Sequence, residues 1–369
     1  MRRSKKSSKS KIITAVVLIC IVVLAIVLSM NKPKTDIAQN EVDIANHESE
    51  IEVKPEEPVK EPEPVKNNIN IFKGNDRAIA FMIDNNKNAQ PHASINSTYM
   101  VYEIIVEGGE TRLMVLFKGT NADQVGPIRS ARHYFLDYAM ENDAIYAHLG
   151  LSPQADSDMK SFHINNINGQ VYDTGKARTN TSLYWRVTHK KAPHNAYTNT
   201  ASILKIAVDK GYTTTSNKES VLNYVSEEVE LMSTDAILAN SVKIPYSKGH
   251  TVEYKYNSDT KRYTRYSKGR KMTDEISKED VTTKNIIITF AKNYTLDDGE
   301  NKGRQDVVTV GELDGYYITN GKAIKIKCIK KGRTEQTTYV DMQGKEINVN
   351  DGNTWVNVCP IDANVVISE

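Results

Sequence analysis

The sequence predicts an α/β domain followed by a mostly β domain, both set behind a membrane-spanning helix and an extended spacer. Three observations predict this. Nineteen residues from Ile12 to Met30 carry no charge. Strand-like and helix-like runs alternate between residues 71 and 225. From residue 240 onward short β-rich runs follow one another with Gly, Asn and Asp between them. A length of 369 residues fits about two domains. The 39% hydrophobic and 25% charged content is that of an ordinary globular chain, which excludes collagen, long coiled coil and wholesale disorder.

Residues 1–11 hold six basic side chains and no acid, a basic cytoplasmic tail. The uncharged run 12–30 spans roughly 28 Å as a helix, enough for a bilayer core. Bases ahead of it hold the N-terminus in the cytoplasm and send the rest outward. A cleaved signal peptide fits less well, because the run is too long and no A-x-A-like site follows. Residues 31–70 form an acidic, Pro-punctuated spacer that cannot build a core, with five Lys against ten acids up to Lys66. The remainder, 67–369, is close to neutral with 37 bases and 36 acids. That balance argues against a nucleic-acid partner, whose binding needs a basic face.

The first domain, 71–225, opens with a strand, "RAIAFMID". Two β-rich runs then flank Gly108 and Gly109, a hairpin signal. A two-glycine turn sets Glu107 opposite Glu110 and Ile105 opposite Arg112. It would put Glu103, Glu107, Glu110 and Arg112 on one face. Ser130 is the expected cap of a helix reaching about Glu141. "AIYAHLG" reads as a strand, "SPQADSDMKSF" as a helix, and "ASILKIAVDKGY" as a closing helix. The second domain, 240–369, reads as strands "VKIPYS", "HTVEYKYN", "RYTRYS", "KNIIITFA", "DVVTVG", "GYYITNG", "AIKIKCIKK", "QTTYVDM" and "NTWVNVCP". Cys328 and Cys359 fit either one disulfide or two buried thiols.

The blocks "RAIAFMIDN", "VYEIIVEGGETRLMVLF", "VGPIRSARHYF", "HLGLSPQA", "KAPHNAYT" and "DGNTWVNVCP" resemble the signature blocks of the YerB-like family, envelope lipoproteins of Gram-positive-type bacteria long described as a domain of unknown function. The resemblance runs from about Ile71 to Pro360 in the family's order. It implies a three-layer α/β sandwich for the first domain and a distinct β-rich C-terminal domain. The chain departs from the family at its anchor: Ile19 precedes Cys20, where a lipoprotein site needs a small residue.

Candidate residues fall in three blocks. Glu103 and Glu107 carry the hairpin's acids, and Asp84 ends the first strand; these are the candidate catalytic carboxylates. Arg112 is the expected partner of Glu103, because a carboxylate inside an apolar strand is costly alone and a desolvated acid suits proton donation. Arg129 and Arg132 flank a helix start that favours anions such as muramyl or peptide carboxylates or a wall phosphate. His133 lies one turn before Asp137, which is expected to orient it. His148 ends a strand. Trp185, His194 and Asn195, in "LYWRVTHKKAPHNAYT", join Tyr184, His189 and Tyr197 as rings and amides suited to sugar.

H-E-x-x-H, G-x-S-x-G, Walker A and G-x-G-x-x-G patterns and Cys/His metal spacings are missing, so no cofactor and no metal are expected. Outside the membrane the abundant target is peptidoglycan. The reading is a membrane-anchored enzyme that cleaves glycan strands, as a lytic transglycosylase or muramidase, with Glu107 or Glu103 as acid/base. Arg112, Arg129 and Arg132 would position substrate. A hydrolase would need a second carboxylate, Asp84 or Asp137. The rival is a non-catalytic module that binds peptidoglycan or scaffolds the envelope.

Overall fold

The glycine hairpin lies near the middle of the larger of two principal sheets, and its register decides what the molecule can build on either side. The computed structural model describes residues 69–369 apart from Lys73 and Ser233. The basic tail 1–11, the run 12–30 and the spacer up to residue 68 lie outside the described residues. Among the described residues no helix is long and apolar enough to cross a membrane.

The first segment supplies strands β1 (Ile79–Asp84), β2 (Met100–Ile105), β3 (Thr111–Phe117), β4 (Ile145–His148) and β5 (Asn166–Asn168). It also supplies helices α1 (His133–Glu141), α2 (Pro153–Ser161) and α3 (Thr200–Asp209). The second segment is mostly β: β6 (Ser241–Ser247), β7 (His250–Asn257), β8 (Arg262–Ser267), β9 (Asn285–Ala291), β10 (Gly311–Thr319), β11 (Lys322–Lys330), β12 (Thr338–Asp341) and β13 (Thr354–Pro360), with shorter pieces between. An α-bearing first part and a mostly β second part are therefore present, as expected.

The two parts do not keep separate sheets. One eleven-stranded sheet runs β12-β11-β10-β9-β13-β2-β3-β1-β4-β5, with Ile237–Leu238 beside β11. The join is β13, which lies parallel to both β2 and β9. Every residue of β1, β2, β3 and β13 is buried, as in a sheet covered on both faces. On one face the Tyr102 hydroxyl donates to Glu141 of α1 at 2.8 Å. On the other lies the six-stranded sheet of β6, β7, β8 and three short strands. There the Tyr254 hydroxyl of β7 donates to Asn357 of β13 at 3.1 Å. In β8 buried and half-buried residues alternate, as in a strand packed on one face.

The hairpin departs from the expected register. Three residues, Glu107 to Gly109, form its turn, and the Val106 amide closes it on the Glu110 carbonyl at 2.8 Å. Both glycines hold positive φ, +69° and +71°. Glu103 consequently faces Leu113, and Arg112 faces Ile104. One residue of slip turns a side chain to the opposite face. Glu103 and Arg112, expected as partners on one face, thus part to opposite sides of the sheet.

The helices follow their local signals unevenly. Ser152 caps α2 by accepting from the Ala155 amide at 3.2 Å, ahead of a proline in the first turn. Asn199 caps α3 at the Ser202 amide, 2.6 Å away. α1 starts at His133 rather than Ser130, and its N-cap, Arg132, makes no side-chain cap. Cys328 and Cys359 are free, buried thiols, both pushed up to about 12 by burial.

Candidate functional site: an arginine-rich sheet edge

β1, β2 and β4 run in the same direction, so their C-terminal ends share one edge of the sheet. In open α/β sheets that edge is where ligands bind. Asp84 ends β1 there, directly across from Arg112 of β3. Glu107 follows β2 in the glycine turn. The segment 127–132 is pinned across this edge: the Asp84 amide donates to Pro127, the Arg129 amide to Met82, and the Ala131 amide to Gly150, all within 3 Å. This lays Arg129 and Arg132 beside the two carboxylates. A small hairpin of Trp185–Arg186 against Ala196–Tyr197 stands above, held by Ile128 N–H to the Ala196 carbonyl at 2.7 Å. Its loop delivers His194.

The result is a cluster of three guanidinium groups, two carboxylates and one imidazole. Arg132 grips Glu107 through Nε and Nη2 at 2.6 and 3.0 Å, a bidentate pair. Arg112 approaches Glu107 to 4.0 Å and donates Nη1 to the Ser130 carbonyl. His194 Nδ1 lies 2.6 Å from Asp84 Oδ2. Arg129 Nε is 3.2 Å from the same oxygen yet is not aligned for a hydrogen bond, so proximity rather than a bond pairs them. Arg129 donates no side-chain hydrogen bond to any described residue and is 27% exposed.

Electrostatics follow from this crowding. Burial would raise the Glu107 carboxyl, but the bonds and charge of Arg132, with Arg112 behind them, hold it below the usual range. Burial and the neighbouring Arg132 and Arg129 charges bring the Arg112 guanidinium down to about 10. Counted by formal charge, three guanidinium groups against two carboxylates leave the cluster a surplus of one positive charge.

The other candidates sit elsewhere. Glu103 is sealed on the opposite face at 0% exposure, where Arg265 of β8 takes Oε2 and Thr111, Asn85 and His250 take Oε1 at 2.7, 3.0 and 3.2 Å. Burial would raise this carboxyl, yet Arg265 and His250 bring it to about 2. It therefore has no proton to donate near neutrality. Its true partner, 162 residues away, stacks its guanidinium 4.2 Å from the Trp355 ring. The sequence shows Arg265 only as one polar residue in an alternating strand.

His133 turns to Asp306 at 2.8 Å, while its expected partner Asp137 is taken by Thr309 and Arg333. His148 is buried, bonded to the Gly150 carbonyl at 2.8 Å and Asn166 at 3.3 Å, and lowered by burial. Trp185 is packed with Ala93 and Tyr197 beneath the Arg178 guanidinium. Asn195 is spent on Arg186 and the Val187 carbonyl. The expected aromatic loop is thus a packed support rather than an open platform. Lys190, unmarked in the sequence, anchors it through Glu275, 2.5 Å away, and the Tyr197 hydroxyl at 2.6 Å. A cavity of about 610 Å³ lined by Ile79, Phe117, Leu204 and Val208 opens at the other end of β1 and β3 and holds none of these groups.

These features define a two-part, sheet-sharing protein with a cationic site at the strand ends. Residues 68–213 match the N-terminal domain, and 242–356 the C-terminal domain, of the family described as "Protein of unknown function (DUF3048)". The chain belongs to this family, which is the YerB-like family. It is 30% identical to the "Putative lipoprotein YerB" of Bacillus subtilis (strain 168) over 77% of this chain and 81% of that protein. It also superposes on a crystal structure of the YerB protein from Bacillus subtilis with a TM-score of 0.68 and 28% identity, covering 79% of this chain and 94% of that one.

Proposed function

We propose that this protein is an extracytoplasmic envelope module, anchored through residues 12–30, that binds anionic groups on peptidoglycan strands at the Arg112–Arg129–Arg132 edge. The uncharged run after six basic residues supports the anchor and its orientation. The word lipoprotein in the name of the Bacillus subtilis relative supports the membrane's outer side. The site itself is supported by one observation above all: three guanidinium groups outnumber two carboxylates at a strand edge, and the Arg129 side chain, 27% exposed, donates no hydrogen bond to any described residue. Muramyl and peptide carboxylates, or phosphate carried on the strands, supply the matching anion.

Glycan cleavage by a Glu acid is the weaker reading. It needs a carboxyl that keeps its proton near neutrality. Glu107 is drawn the other way by Arg132, and Glu103 lies sealed behind the sheet.

The test is co-sedimentation of the full-length chain, purified in detergent, with purified sacculi, while soluble products are read by mass spectrometry. The wild type is expected to pellet with the sacculi, and Arg129→Ala/Arg132→Ala to bind at least about tenfold more weakly, the equivalent of one lost charge-assisted contact. Release of 1,6-anhydro-muramyl fragments that disappears in Glu107→Gln would overturn the binding reading in favour of a lytic transglycosylase.

A further inference from the structure

His194 and Asp84 are arranged for more than binding. We propose that His194 is a general base, positioned by Asp84, that hydrolyses a phosphodiester carried on the wall strands and held by Arg129; this rests on the proposed binding edge. The carboxylate of Asp84 can only accept, so in the neutral imidazole the proton must sit on Nδ1, facing Oδ2 at 2.6 Å. That leaves the Nε2 lone pair, and Nε2 makes no hydrogen bond to any described residue. An imidazole fixed at one nitrogen by a carboxylate and open at the other is the arrangement that proton abstraction from water requires. Asp84 is itself fixed: its backbone amide is bonded to Pro127 at 2.9 Å, its carbonyl lies 2.8 Å from His92 Nε2, and its carboxylate accepts from the Asn86 amide at 3.1 Å.

Charge selects the substrate class. A phosphodiester brings one negative charge to an edge with one surplus positive charge, and gains a second as water adds. Arg129, whose side chain is 27% exposed and donates no hydrogen bond to any described residue, lies beside the same Asp84 carboxylate as His194 and can meet that developing charge. A neutral carboxylic ester would draw no ground-state binding from this surplus. In the step, His194 Nε2 takes a proton from water as the water oxygen bonds to phosphorus. The P–O bond to one ester oxygen breaks, and the imidazolium returns the proton to that alkoxide. The products are a phosphomonoester and an alcohol.

The experiment gives the full-length chain three substrates: intact sacculi, sacculi stripped of phosphodiesters with hydrofluoric acid, and bis(p-nitrophenyl) phosphate. Phosphomonoester appearance is followed by phosphorus NMR, and co-sedimentation is measured in parallel. Expected are turnover of intact but not stripped sacculi and a loss of at least about a hundredfold in turnover in His194→Gln, with sedimentation weakened far less than turnover. Partial rescue of His194→Gly by added imidazole is also expected, which a merely structural histidine would not give. Sedimentation without phosphomonoester from either substrate overturns the catalytic inference and leaves the binding reading standing. Wild-type turnover in His194→Gln overturns it as well. If the chain fails to sediment, the binding reading falls, and His194-dependent cleavage of the small diester alone decides the base.

Discussion

Glu103 and Glu107 stand four residues apart on one hairpin, and each meets an arginine, but the two pairs do opposite work. Glu103 with Arg265 is buried to 0% on both sides and fastens the second sheet to the first. Glu107 with Arg132 lies at the rim, 20% and 11% exposed, where solvent and ligand can compete for either partner. The difference teaches that an unusual carboxylate in a strand marks architecture when its partner comes from a distant element that closes over it. It marks a candidate site when its partner sits on a neighbouring loop at a strand end.

The largest effect should come from breaking the buried pair. Arg265→Ala leaves Glu103 charged in the interior without its guanidinium partner, a loss of about 3–5 kcal/mol. Glu103→Leu with Arg265→Met removes both charges and is expected to recover most of it. Urea denaturation of the three proteins checks this. A single variant as stable as the wild type would mean the pair does not hold the sheets together.

Acid sharpens the same contrast. The Glu103 carboxyl drops from 4.5 to about 2 on folding, so its contribution is complete above pH 4.5 and is lost as pH falls through 2. The stability gap between wild type and Glu103→Gln should therefore be widest at neutral pH and shrink between pH 4.5 and 2. Buried His92, lowered from 6.5 to about 4 chiefly by desolvation, resists protonation in the fold and accepts it when unfolded. Its cost grows as pH falls from 6.5 to 4, and that earlier loss should persist in Glu103→Gln. Urea midpoints across pH 7 to 2 separate the two. A gap independent of pH would remove the ion pair as its cause.

The hairpin turn that sends the two acids apart gives a smaller effect. A Cβ on Gly109 would lie 2.8 Å from Ser247 Oγ and 2.9 Å from Ser247 Cβ, at φ +71°. At Gly108, φ +69°, nothing lies within 4 Å. Gly108→Ala is expected to lose about 1 kcal/mol from backbone strain, and Gly109→Ala clearly more, up to about 3 kcal/mol. Equal melting temperatures for the two would show that Ser247 yields freely.

That turn also marks where the sequence stops being legible. Short β-rich runs between Gly, Asn and Asp locate the strands from "VKIPYS" to "NTWVNVCP", and "SPQADSDMKSF" reads as the helix that α2 is, because these signals are local. Gly108-Gly109 announced a hairpin but not its length, and a turn of three residues instead of two reversed the faces of Glu103 and Arg112. The partners Arg265 and His250 are 162 and 147 residues from Glu103. They reach it only because β13 joins the two segments, which no local pattern encodes. Asp84, Glu107, Arg129, Arg132 and His194 were all legible as chemistry-bearing residues. What brings them together is the parallel direction of β1, β2 and β4, a property of the fold.

The smallest effect in stability is the most telling for the site. Glu107→Gln removes the carboxylate that occupies Arg132 but keeps an amide oxygen that can accept from it, so the fold should change by only about 1 kcal/mol. If Arg132 is a ligand group, its guanidinium is now released, and inorganic phosphate should bind about fivefold more tightly, the gain of roughly one contact of 1 kcal/mol. Isothermal titration with phosphate measures this directly. In the buried pair, losing the glutamate can only harm; at the rim, losing it should help the ligand. Weaker phosphate binding in Glu107→Gln would reverse that argument, because it would mean that Glu107 itself, or the arginine orientation it enforces, is what the anion requires.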